Sequence, residues 1–86
     1  MRNEMKIILK EEFRTLALRT RDDLGLTQDK LSEKLGISER AYSNIENGKS
    51  TCGTLTAMML LMYTDNSIMF IQNMQARFEE IGAKEK

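Results

Sequence analysis

Few residues of this chain have the type and spacing to do chemistry, and most of those fall short of a catalytic set. There is no histidine and a single cysteine, Cys52, which excludes a zinc site of the usual Cys/His type and any disulfide within the chain. The carboxylate pairs Glu11-Glu12, Asp22-Asp23 and Glu79-Glu80 are immediate neighbours. Adjacent residues of a helix point in different directions, so each pair reads as a solvated face rather than an acid/base couple. With no glycine-rich phosphate loop and little room for a pocket, the chain reads as a non-enzyme that needs no cofactor and takes no small-molecule substrate. What remains is a compact set of hydrogen-bonding side chains, Glu39, Arg40, Ser43, Asn44 and Asn47. Their spacing points them outward from one helix, and their chemistry is recognition rather than bond-making.

The elements that must hold this set are helical. At 86 residues the chain is expected to be one domain, near the lower limit for a core without metal or disulfides. Hydrophobic residues make up 41%, enough for a small packed bundle. Proline is absent, and no strand-like alternation of useful length occurs, so an all-α fold is expected. The apolar run Ile7-Ile8-Leu9 is too short for a signal peptide, and Thr54–Tyr63 is far short of a membrane span. A soluble, cytoplasmic protein is therefore expected.

Residues 1–12 are helix-compatible but weakly patterned, which fits either an N-terminal arm or an extension of the first helix. From Phe13 the pattern is clearer: Phe13, Leu16, Ala17, Thr20 and Leu24 form one stripe, and Gly25 offers a left-handed stop. Thr27 caps a second helix, with Leu26 and Leu31 as a hydrophobic staple, Leu31 and Leu35 facing the core, and Gly36 closing it. Ser38 then caps a third helix, with Ile37 and Tyr42 as the staple and Ala41, Tyr42 and Ile45 inward. Asn47-Gly48 ends it. Thr54–Tyr63 reads as a fourth helix, apolar on most sides and so either central or covered by another chain. Residues 68–81 make a fifth, with Ile71, Met74, Phe78 and Ile81 on its stripe, followed by a frayed tail over 83–86.

Two short helices joined by a glycine turn cross steeply, so the second projects while the first braces it. An exposed helix fits the major groove of duplex DNA, and side chains near its N-terminus reach base edges. The start of the bracing helix at Thr27 and Gln28 can meet a phosphate through backbone N–H groups. Thirteen basic residues against thirteen acidic give zero net charge, which implies weak non-specific affinity for phosphate.

The stretch R-x-x-x-G-L-T-Q-x-x-L-S-x-x-L-G-I-S followed by A-Y-S-N-I-E-N-G-K resembles the lambda-repressor/Cro-type, or XRE-type, helix-turn-helix domain. The resemblance runs from Phe13 to about Lys49 and only loosely beyond. It implies a five-helix, lambda-repressor-like, all-α fold with the helix-turn-helix at helices 2 and 3. By the same resemblance Glu39, Arg40 and Asn44 fall at base-reading positions, and Ser43 at one that reaches base or phosphate. Gln28, Asn47 and Lys49 fall at phosphate-contacting positions, joined by the capping residues Thr27 and Ser38. Arg21 and Glu46 match a structural ion pair. Ser32 stands where alanine is usual, Thr51-Cys52-Gly53 lacks the frequent proline, and the lead-in before Thr27 is longer than usual.

Each recognition residue also has a bland account. Arg40 suits guanine or is a solvated arginine; Glu39 accepts from cytosine or favours the helix N-terminus; Asn44 reads adenine or is simply exposed. The functional expectation is sequence-specific binding of double-stranded DNA by a homodimer. Such a protein, bacterial or phage-encoded, would regulate transcription in the repressor manner by occupying an operator. The alternative is a protein-interaction or antitoxin-like module with weak DNA affinity.

Overall fold

The computed structural model describes residues 2–84 and contains five helices: α1 (Arg2–Leu24), α2 (Gln28–Leu35), α3 (Glu39–Glu46), α4 (Thr54–Tyr63) and α5 (Ser67–Lys84). No strand occurs among the described residues. α1 is the spine, packing against α3, α4 and α5, while α2 packs on α3 and α4.

The short helices begin where their sequence directs. The Thr27 hydroxyl accepts from the Lys30 N–H at 3.2 Å, and the Ser38 hydroxyl accepts from the Ala41 N–H at 3.1 Å. Between the two, Gly36 adopts φ +70°. Its N–H donates to the Glu33 carbonyl, and the Ile37 N–H reaches the Ser32 carbonyl, both at 3.1 Å. This six-to-one closure turns the chain within a residue and launches α3 at once.

The core is one cluster: Phe13, Leu16 and Ala17 of α1 meet Leu31 and Leu35 of α2, Tyr42 and Ile45 of α3, Leu60 of α4 and Phe70 of α5. The Phe13 and Phe70 rings lie 4.7 Å apart at a tilt of 57°, a favourable aromatic arrangement. Ser32 is buried with its hydroxyl donating to the Asp29 carbonyl at 2.6 Å. A residue that small lets α2 lie close to its neighbours.

Several expectations change and one narrows. Of the arm or helix extension expected over residues 1–12, residues 2–12 take the extension, as the first turns of α1 anchored by buried Ile8. Leu24 is exposed, because α1 has passed the packed region when Gly25 turns the chain away. Ala41 is exposed rather than inward; Tyr42, Ile45 and Glu46 already occupy the buried face of α3. On α5 the ring contact sets the register, so Phe70, Met74 and Ile81 are buried while Ile71 is rotated outward. α4 is not central: only Leu60 is buried, whereas Leu55 and Met62 remain 74% and 77% exposed. α5 continues as helix through Lys84, past the expected start of the tail, and residues 85–86 lie outside the described residues.

Replacing Gly36 by alanine would add a Cβ with no atom within 4 Å, so any penalty is purely conformational. Gly36→Ala should cost about 1–2 kcal/mol in urea denaturation, and Gly36→Asn less, because asparagine tolerates the left-handed region.

Candidate nucleic-acid interface

The orientation of α3 is fixed by its last residue. Glu46 is buried, its side chain only 4% exposed, and the surrounding polar groups converge on it. Arg21 of α1 grips the carboxylate in a two-pronged contact, Nε to Oε2 at 2.7 Å and Nη2 to Oε1 at 3.2 Å. Gln28, the first residue of α2, donates Nε2–H to Oε1 at 3.0 Å. One carboxylate thus ties α1, α2 and α3 together. Such charge-assisted forked pairs are stronger and more directional than neutral hydrogen bonds.

Burial alone would raise the Glu46 pKa. The Arg21 guanidinium, with the Tyr42 phenol and the Gln28 amide beside it, outweighs that effect and holds the carboxyl below its usual range. The hydrogen bond to Glu46 in turn raises Arg21 against a smaller opposing effect of burial. Tyr42 is fully buried and donates its hydroxyl to the Ala17 carbonyl at 3.2 Å. Its pKa is pushed far up, by burial first and by proximity to Glu46 second. A third contact from α1 went unread in the sequence: Arg14 Nε–H donates to the Glu46 carbonyl at 2.9 Å. The signal was present, because Arg14 and Arg21 are seven residues apart and so share one face of a helix.

The other end of α3 is open. Glu39 and Arg40 are exposed, and Ser43 and Asn44 half-buried. The side chains of Glu39, Arg40 and Asn44 make no hydrogen bond or ion pair with any described residue. Ser43 accepts from Asn47 Nδ2 at 3.3 Å, which places these two polar residues together at the end of the row. Gly48 (φ +72°) and the Lys49 N–H, which donates to the Asn44 carbonyl at 2.9 Å, close the helix and leave the Lys49 side chain exposed.

At the starts of α2 and α3, the Thr27 and Ser38 hydroxyls each accept one cap N–H. Each hydroxyl proton stays free to donate outward. The Gln28 side chain stands differently from expectation: its amide is engaged with Glu46 and it is half-buried. Its backbone N–H, at the first position of α2, has no intrahelical partner to seek. The free donors at the start of α2 are therefore main-chain first. Cys52 is half-buried in the α3–α4 loop, and burial pushes its thiol up to about 11, so it remains protonated at neutral pH.

An exposed helix with unpartnered donors and acceptors at its start, braced by a capped helix and locked at its far end, is the arrangement of a helix-turn-helix reader of DNA. Residues 18–64, more than half of the chain, match the helix-turn-helix family. The chain belongs to that family, in its lambda-repressor/Cro or XRE-type branch, and so to a class of DNA-binding domains. Comparisons with curated proteins and with solved structures give no match. Among the described residues, no helix is long and apolar enough to cross a membrane.

Arg21→Ala would leave a buried carboxylate without its cation. The expected loss is toward the lower end of about 3–5 kcal/mol, because the Arg21 side chain is itself 30% exposed. Urea unfolding at neutral pH checks this. The pH dependence has a definite sign: a carboxyl whose folded pKa is depressed stabilises above its unfolded pKa and loses that contribution as pH falls through the folded value. Stability should therefore fall on acidification below about pH 4, the ordinary glutamate range. Glu46→Gln should be less stable at neutral pH and show a flatter acid dependence.

Proposed function

We propose that this protein is a sequence-specific DNA-binding regulator that occupies an operator as a homodimer and blocks access to it sterically. The observation that carries the reading is the unpartnered polar end of α3. Its chemistry suits base edges. Arg40 can donate two hydrogen bonds to guanine O6 and N7, Glu39 can accept from the cytosine amino group, and Asn44 can pair with adenine N6 and N7. Ser43, engaged by Asn47, is the group that reaches either base or phosphate. Thr27, the Gln28 main chain, Ser38, Asn47 and Lys49 would fix the register through phosphates. Regulation of this kind needs no catalysis, and a bacterial or phage setting with the protein in the cytoplasm fits it.

Exposed Leu55, Met58 and Met62 of α4, with Ile68 and Ile71 of α5, support pairing with a second copy. Two recognition helices would then address half-sites about 34–36 Å apart, one helical turn. The same exposed apolar residues and the zero net charge also favour a second reading, an antitoxin-like or adaptor module that keeps the fold with little DNA affinity. A salt titration separates them, because a DNA binder loses affinity steeply as salt rises.

Selection from random duplexes at low salt tests the main reading. The wild type should enrich a two-fold-symmetric motif. Arg40→Ala should enrich the same motif with one base pair per half-site relaxed, a loss of about 1–3 kcal/mol of discrimination at that position. An equal weakening across all sequences would make Arg40 a phosphate anchor instead. Enrichment of no motif by the wild type would contradict sequence specificity.

A further inference from the structure

Zero net charge conceals an uneven distribution around α1. Arg2, Lys6, Lys10 and Arg14 recur every four residues and so follow one ridge of the helix. Glu4, Glu11 and Glu12 lie on the opposite side. There Arg77 of α5 pairs with Glu11 at 2.7 Å and with Glu12 at 3.3 Å, and Glu4 borders a groove with Ile8, Arg77 and Ile81. Glu11 and Glu12 thus face a partner cation. Arg2, Lys6 and Lys10 instead border a groove with Phe78 and Thr51 that contains no acidic residue. None of these three makes an ion pair with any described residue.

The basic ridge is costly to the helix that carries it. Like charges four residues apart repel, and cations in the first turns oppose the helix dipole. A helix face shaped only for solvation would mix the signs.

The position of the ridge gives it a use. At its upper end Arg14 holds the Glu46 carbonyl, and its Cδ lies 3.6 Å from where a Cβ on Gly48 would stand, next to Lys49. Thr51, two residues on, shares the groove with Lys10. The ridge therefore begins at the loop that follows the recognition helix and runs about 18 Å down α1. It also lies before residue 18, outside the segment that matches the family.

We infer that Arg2, Lys6, Lys10 and Arg14 form a phosphate track that carries the DNA backbone beyond the helix-turn-helix, extending the contact made at Lys49. The inference rests on the DNA-binding reading above. The track supplies the local positive field that the net charge lacks, and it adds affinity without sequence preference.

The test compares the full-length wild type with Lys6→Gln/Lys10→Gln, using both a random-sequence duplex and the duplex enriched by selection. Arg19→Gln, on the acidic side of α1, is the control. The double variant should fold at least as well as the wild type, since it removes repulsion, and thermal unfolding verifies this. Its affinity should drop by the same factor on both duplexes. The slope of log affinity against log salt should become shallower by about 1.8, the value for two lost phosphate contacts, while Arg19→Gln keeps the wild-type slope. An unchanged slope in the double variant, or a loss confined to one duplex, would overturn the track and leave the α3 reading standing. Failure of the wild type to bind either duplex at low salt would instead remove the DNA-binding reading, and the track with it.

Discussion

Glu46 sits at the end of a helix, where a negative charge is unfavourable to the helix dipole, and inside the protein, where a carboxylate is costly to bury. Both penalties are accepted because the carboxylate has cationic and amide partners from two other helices, Arg21 and Gln28. A hydrophobic contact would hold α3 against α1 with some freedom to slide. A forked ion pair joined by an amide hydrogen bond permits one register, so the rotation of α3 about its own axis is set. The Tyr42 hydroxyl on Ala17 and the Arg14 contact to the Glu46 carbonyl reinforce that setting along two turns of α1. Whatever α3 presents outward is consequently presented at a fixed angle.

Polar groups in this region divide by whether they are spent inside the fold. Glu46, Arg21, Tyr42 and the Gln28 side chain are engaged with each other or with main chain. The side chains of Glu39, Arg40, Asn44 and Lys49 bond to none of the described residues. Specific recognition needs this division, because a base-reading side chain already bonded within the protein would have to break that bond to bind. The fold places the satisfied groups on the buried side of an eight-residue helix and leaves the unsatisfied ones at its start and on its outer side.

Much of this was legible in the sequence where signals are local. The caps at Thr27 and Ser38, the glycine at Gly36 and the staple leucines act within five residues, and the structure has the helices starting and stopping there. The family motif also led to Arg21 and Glu46 as partners. Where the outcome depended on packing between distant segments, the sequence was ambiguous. Phe70 and Ile71 are equally apolar neighbours, and only the Phe13 ring decides which is buried. Thr54–Tyr63 is apolar enough to be a core helix, yet α1 already fills the centre. Gln28 reads as a phosphate contact by position, but the Glu46 acceptor lies within its reach and engages its side chain. Arg14 shares a helix face with Arg21, but its partner is a main-chain carbonyl, which no residue type announces.

The central claim is that DNA lies across the start of α3, the start of α2 and the loop at Asn47–Lys49, on a surface fixed from behind by Glu46. Titrating a duplex into 15N-labelled protein and following the backbone amide shifts tests it most directly. The account predicts the largest changes at Gln28, at Glu39 through Asn44 and at Asn47 through Lys49, with the amides of α4 little affected by the duplex itself. Changes concentrated on α4 and the exposed side of α5, with α3 silent, would contradict it.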